Sequence, residues 1–270
     1  MQLSEIYKIA DAIAPKRLSD EICQNPDWYD NSGILLDAGE EIQGVLFSLD
    51  WSLEAVDAAI AAGANLIVTH HPAIYGKLAN ARYDDESMTG KKLVKCLRNG
   101  ISVISMHLNL DLADGGTDES LMQGIMRSAG SNDGAGKAEI LHSVSAGGYG
   151  RAYDVPRIAL KTLAENMKKT FSTDRVSVYA NGVETVMRVA SFCGGGADEA
   201  SVLFAKRQGA NAIVSSDFKH HVLTLARESG LAVITLTHYA SENYGFEKFY
   251  EKIRRQVEIP CFYHTDYALL

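Results

Sequence analysis

Apolar positions along the chain alternate between runs of strand length and stretches of helical spacing. Leu3, Ile6, Ile9, Ala10 and Ile13 recur at helical intervals and predict an opening helix over residues 4–13, stopped by Pro15. A turn-rich stretch, 28–37, leads into a short apolar run. Residues 44–49 read as a strand. Ser52 can cap the helix that follows, with Glu54 in its first turn and Gly63 just past its end. Residues 66–69 read as a second strand, 87–98 as a helix ending at Gly100, and 101–106 as a third strand. Strands alternating with helices of about ten residues predict βαβ units and a largely parallel sheet.

A helix is predicted over residues 118–126, after which the pattern changes. Residues 128–150 are rich in glycine and poor in large apolar side chains, the composition of a junction. Pro156 is expected to open a helix through 169. Residues 176–179 and 183–192 read as strands around Asn181-Gly182, a strong hairpin signal. Gly63-Ala64-Asn65-Leu66-Ile67-Val68 then recurs as Gly209-Ala210-Asn211-Ala212-Ile213-Val214. Each copy is followed by a helix, a glycine (Gly100, Gly230) and a strand. Those strands end in His107-x-x-x-Asp111 and His238-x-x-x-Glu242. The period is about half the chain, so this is a duplication, not a solenoid. The expected fold is a single α/β domain over residues 1–270 made of two pseudo-repeated lobes. Lobe 1 covers about 1–127, the junction about 128–150 and lobe 2 about 151–270, with mostly parallel sheets, helices outside and the site in the cleft.

Composition narrows the class. The 270 residues are 46% hydrophobic and 22% charged, ordinary for a soluble globular protein. No apolar run is long enough to span a bilayer, and the first residues lack a signal-peptide pattern. Cys23, Cys96, Cys193 and Cys261 lie far apart, indicating neither a disulfide framework nor a zinc knuckle. A cytoplasmic location is the expectation. The net charge of −8 argues against a broad grip on nucleic acid.

Six of the eight histidines, all but His142 and His264, fall at or just beyond the ends of four predicted strands, where open α/β sheets bind ligands. His70, His71 and His238 with Asp111 and Glu242 supply three imidazoles and two carboxylates. Such a mixture suits zinc, iron, manganese, cobalt or nickel better than magnesium or calcium. Five ligands are too many for one open catalytic zinc but fit two divalent ions, with Glu242 bridging. His107 is expected to orient a ligand or water and to relay protons. His142 and His264 read as structural, and His220 and His221 lie on a predicted helix start. Cys193-Gly194-Gly195-Gly196 reads either as a tight turn or as a cradle for phosphate or carboxylate.

Several motifs together resemble the NIF-three-like family. They are Tyr29-Asp30-Asn31-Ser32-Gly33, Thr69-His70-His71-Pro72, His107-Leu108-Asn109-Leu110-Asp111, the Cys193 loop and His238-Tyr239-Ala240-Ser241-Glu242. Members are labelled type 2 homologues of GTP cyclohydrolase I, or dinuclear metal-centre hexameric proteins. The resemblance implies metal ligation by His70, His71, Asp111, His238 and Glu242. It also implies a two-lobed protomer in a toroidal homohexamer, a trimer of dimers, and it implies the compact form without an inserted domain.

Two functional classes follow. One is a metal-dependent hydrolase acting on a nucleotide, GTP cyclohydrolase-like, or on a phosphoester. The other is a non-enzymatic assembly that stores or traffics metal or acts as a scaffold. A nucleic-acid-binding ring fits the acidic composition least.

Overall fold

A computed structural model of the chain describes every residue except 79, 85 and 132–137. The elements in order are α1 (Leu3–Ile13), α2 (Lys16–Ile22), β1 (Gly33–Leu36), β2 (Val45–Asp50), α3 (Leu53–Ala62), β3 (Leu66–His71), α4 (Met88–Arg98), β4 (Ser102–Ser105) and α5 (Leu108–Leu112). They continue with α6 (Thr117–Ser128), β5 (Glu139–Ser143), β6 (Gly148–Ala159), α7 (Leu160–Thr170), β7 (Ser177–Tyr179), β8 (Thr185–Ser191), α8 (Glu199–Arg207), β9 (Ala212–Ser215), α9 (His220–Glu228), β10 (Ala232–Thr235), α10 (His238–Arg254) and β11 (Cys261–His264). The chain forms two compact units. Unit 1 comprises Met1–Ala113 with Phe246–Thr265, and unit 2 comprises Asp114–Gly245 with Asp266–Leu270.

Unit 1 is built on a five-stranded sheet in the order β1-β4-β3-β2-β11. Strands β4, β3, β2 and β11 run parallel, and β1 adds an antiparallel edge. Leu66, Ile67 and Val68 on the central β3 are fully buried, as expected of a strand covered on both faces. α3 forms as its sequence predicts: Ser52 accepts a hydrogen bond from the Ala55 amide and Gly63 closes the helix in the left-handed region. Trp51, Ala55, Val56, Ile67 and Cys96 pack together in the core. Phe47 of β2 meets Phe246, Phe249 and Tyr250 at ring separations of 6.3, 6.4 and 5.1 Å.

Unit 2 holds a six-stranded sheet, β5-β6-β8-β9-β10-β7. Its centre, β8-β9-β10, is parallel like that of unit 1, whereas β5, β6 and β7 pair antiparallel at the flanks. The mostly parallel character expected is met in the middle of this sheet, and the flanks are antiparallel.

Two local expectations are corrected. Asn181-Gly182 does form a turn with both residues at positive φ, yet its arms do not pair with each other. β7, with its side chains exposed, joins the edge beside β10, while β8 enters the middle of the sheet between β6 and β9. Val186 and Val189 are fully buried there, so burial of β8 outweighs the short-range turn signal. Pro156 opens no helix. It lies inside β6, where the pairing with β8 shifts register between Asp154 and Ile158, and α7 begins at Leu160. A short helix, α2, follows Pro15 directly.

The glycine-rich stretch is also not a junction. Apart from 132–137, which lie outside the described residues, it comprises the end of α6 and the turn after it, β5, the start of β6 and the turn joining those strands, all within unit 2. The break between units comes earlier, at Ala113/Asp114. Gly148 and Gly150 serve packing instead: both have positive φ, and a side chain on Gly150 would meet the Phe192 ring.

Candidate metal centre

In unit 1 the strand ends deliver three imidazoles. β3 closes with His70 and His71, and His107 follows β4 as the residue that opens α5. The His70–His71, His70–His107 and His71–His107 ring centroids are 4.9, 5.3 and 5.8 Å apart. Each ring can present one nitrogen within 4.8 Å of the others. Asp111, one turn into α5, is buried with its Oδ1 3.5 Å from His70 Nε2.

Backbone geometry at the exits of β3 and β4 orients the rings. His70 Nδ1 lies 2.7 Å from the Met106 carbonyl oxygen, Ser105 Oγ donates to the His70 carbonyl at 2.8 Å, and the Met106 amide donates to Thr69. His71 Nδ1 lies 2.8 Å from Asp50 Oδ1, a partner brought alongside by the parallel register that sets Asp50 opposite His71. His107 Nδ1 lies 2.9 Å from Asp30 Oδ1. Asp30 also accepts from the Ser32 and Leu108 amides, so it caps a helix nearly eighty residues away that has no side-chain cap of its own. Burial by itself would raise the Asp30 pKa. Hydrogen bonds from His107, Ser32 and Ser19, together with the His107 charge, outweigh it and hold the carboxyl well below the usual range.

In unit 2, α10 carries His238 and Glu242 one turn apart, with His238 Nε2 3.1 Å from Glu242 Oε1. Glu242 is buried. His238 Nδ1 lies 2.5 Å from Asp217 Oδ2, at the exit of β9.

One regularity joins these contacts. Carboxylates and carbonyls only accept, so Nδ1 carries a proton in His70, His71, His107 and His238, and in the neutral ring Nε2 then keeps the lone pair. That is the tautomer a metal requires, with the outer nitrogen held as metal-binding histidines usually are. The His71–Asp50 and His238–Asp217 pairs are each separated by 21 residues. Both span the same device: a carboxylate at the end of one parallel strand, a crossover helix, and an imidazole at the end of the next.

Of the five residues singled out as ligands, His70, His71 and Asp111 lie together in unit 1, and His238 and Glu242 lie together in unit 2. His107 sits with His70 and His71. His220 and His221 are exposed on the first turn of α9, and His221 Nε2 is 3.9 Å from Glu199. The phosphate-cradle reading of the glycine loop is corrected. The Cys193 amide donates to Asp118 and the Gly194 amide to Ser241, and Asp198 caps α8 with its own carboxylate. Asp50, Asp30 and Asp217 are the site residues that sequence reasoning passed over. Asp50 and Asp217 do stand at strand exits, the only signal available. A cavity of about 600 Å³ in unit 2 is bordered by Gly195, Asp217, Lys219, His221 and Leu203.

No helix among the described residues is long and apolar enough to cross a membrane. Residues 1–266 match the profile of Duf34/NIF3 (NGG1p interacting factor 3). Relatives named "GTP cyclohydrolase 1 type 2 homolog" include those of Clostridium acetobutylicum, 25% identical over 90% of this chain and 85% of that protein, and Campylobacter jejuni, 29% identical over 90% and 88%. Among solved structures, hypothetical protein SA1388 of Staphylococcus aureus superposes with a TM-score of 0.81 at 22% identity, covering 98% of this chain and 97% of that one. Reduced HcgD of Methanocaldococcus jannaschii gives a TM-score of 0.80 at 25% identity, with 97% of each chain covered. With its family profile matched along nearly its whole length, the chain belongs to the Duf34/NIF3 family.

Proposed function

We propose that the protein binds two divalent transition-metal ions per chain and acts as a metal-dependent hydrolase on a nucleotide or other phosphoester. His70, His71 and Asp111 of unit 1 and His238 and Glu242 of unit 2 are the proposed ligands. The single observation that carries this reading is the common hold on the imidazoles of His70, His71 and His238, each with Nδ1 against an oxygen acceptor, as the outer nitrogen of a metal-binding histidine usually is. Three neutral imidazoles and two carboxylates fit zinc, iron, manganese, cobalt or nickel. Bound ions of this kind supply Lewis acidity, which acidifies water and polarises an electrophile.

The chain's own part is proton management and positioning. His107, aligned by the ionised Asp30, is placed to take a proton at Nε2, and Asp30 stabilises the imidazolium formed. The unit 2 cavity has the volume usual for small-molecule sites, with Lys219 as a cation on its wall. The names of the relatives make a GTP-like substrate the first to screen. We also propose that the chains assemble as a homohexamer, which sedimentation velocity would read directly against the 29.3 kDa protomer.

Elemental analysis of untagged protein purified without added metal tests the reading. About two transition-metal ions per chain are expected, with hydrolysis of a nucleotide or phosphoester by the loaded protein. Absence of metal and of uptake on titration would overturn it. Stable metal without turnover across those substrates would move the assignment to metal storage or trafficking.

A further inference from the structure

The backbone of Cys193 and Gly194 is clamped from four sides. Asp118 Oδ1 accepts from the Cys193 amide at 3.1 Å, and the Tyr149 hydroxyl donates to the Cys193 carbonyl. Ser215 Oγ donates to the Gly194 carbonyl at 3.2 Å, and the Gly194 amide donates to Ser241 Oγ at 3.0 Å. Asp118 is itself fixed: it is fully buried, paired with the buried Arg151 guanidinium, and accepts from the Gly150 amide at 3.0 Å. None of these four bonds involves Glu242.

Against this fixed backbone lie the ligand atoms of unit 2. Gly194 has φ of +55°, and a Cβ there would overlap Glu242 Oε1, lie 3.0 Å from its Cδ and 3.1 Å from His238 Nε2. The carboxylate and the imidazole nitrogen therefore occupy the space a side chain would take. Because the colliding atom is the tip of a flexible side chain, the fold can accept a methyl group by turning the carboxylate away. The damage would then fall on ligation.

Resting on the metal-binding reading above, we propose that Gly194 is a positioning residue. Its bare Cα, clamped by Asp118, Tyr149, Ser215 and Ser241, is the surface that sets Glu242 and His238 Nε2 for a divalent transition metal. The left-handed backbone alone is a separate matter, and the chain contains a control for it. Gly209 has φ of +70° with nothing within 4 Å of a Cβ, so an alanine there brings the same backbone strain without the collision.

The experiment compares Gly194→Ala, Gly209→Ala, Glu242→Gln and the double variant G194A/E242Q with the parent protein. It reads zinc affinity by chelator competition, the visible spectrum of the cobalt-loaded protein, and the thermal midpoint without metal. Gly194→Ala is expected to weaken metal binding roughly 10–100-fold, the range for lost ligand support, and to change the cobalt spectrum as Glu242→Gln does. The double variant should be no worse than the worse single one, and Gly209→Ala should bind like the parent. Parent-like binding by Gly194→Ala, or equal loss in Gly209→Ala, overturns the proposal while leaving the metal site intact. A parent protein that takes up no metal overturns both readings together. If Gly194→Ala does not fold, Ser241→Ala decides the matter. Removing the hydroxyl that receives the Gly194 amide should weaken binding several-fold, and unchanged affinity would overturn the proposal.

Discussion

Each imidazole proposed as a ligand is held at Nδ1 by an oxygen of another residue. Asp50 and Asp217 act only through the ring they orient, and both are partly exposed, so replacing them costs little of the fold. Asp50→Asn and Asp217→Asn are therefore expected to lower metal affinity about 10–100-fold with little change in the urea midpoint, both read on the same preparations. At this scale legibility was uneven. His107 with Asp111 and His238 with Glu242 show themselves because helical spacing places ligands four residues apart in sequence on one face. Asp30, Asp50 and Asp217 do not, because their partners are 77, 21 and 21 residues away and are joined only by strand register or a returning loop.

Whole elements were readable where one local rule decided them. α3 carries a cap, a periodic face and a closing glycine, and all three agree. Removing its cap by Ser52→Ala should cost about 1 kcal/mol in a urea titration. Misreadings arose where a local rule met a stronger distant demand. The turn at Asn181-Gly182 is real, but β8 is claimed by β6 and β9, and Pro156 is tolerated inside β6 by a register shift. α4 offers a prediction of a different kind. Burial lifts the Cys96 thiol from 9.0 to about 11, against a smaller opposing contribution from Trp51. The unfolded chain therefore loses this proton at lower pH than the folded one. Stability on this account is complete below about pH 9 and falls as pH rises through about 11, by about 2–3 kcal/mol in all. Urea midpoints across pH 8–11 should show the decline, and Cys96→Ala should flatten it.

For the molecule as a whole, the repeat of parallel strand ends and the pair of lobes were visible in the sequence, while the course of the chain through the two units was not. The two halves are not contiguous in sequence, since unit 1 takes Phe246–Thr265 from beyond unit 2. β11 pairs in parallel with β2 from Cys261 to His264, and Tyr263 packs 5.1 Å from the Tyr250 ring. Ending the chain after Pro260 removes the whole of β11 from unit 1 but only the last five residues from unit 2, and should therefore disrupt unit 1 the more. Both tryptophans, Trp28 and Trp51, lie in unit 1, so the truncated protein should show red-shifted tryptophan emission while keeping much of its far-ultraviolet dichroism. Unshifted emission would mean that β11 is dispensable.

The late arrival of β11 also bears on how the protein is born. On a ribosome, β2 emerges about two hundred residues before the strand that pairs with its open edge. At elongation speeds of roughly 5–20 residues per second, that edge waits on the order of ten to forty seconds with its backbone amides and carbonyls unpaired. During this interval it is a template for any other extended segment in reach. Nascent chains of this protein should accordingly depend on a holding chaperone until β11 has emerged. The finished molecule, with β11 in place, should not.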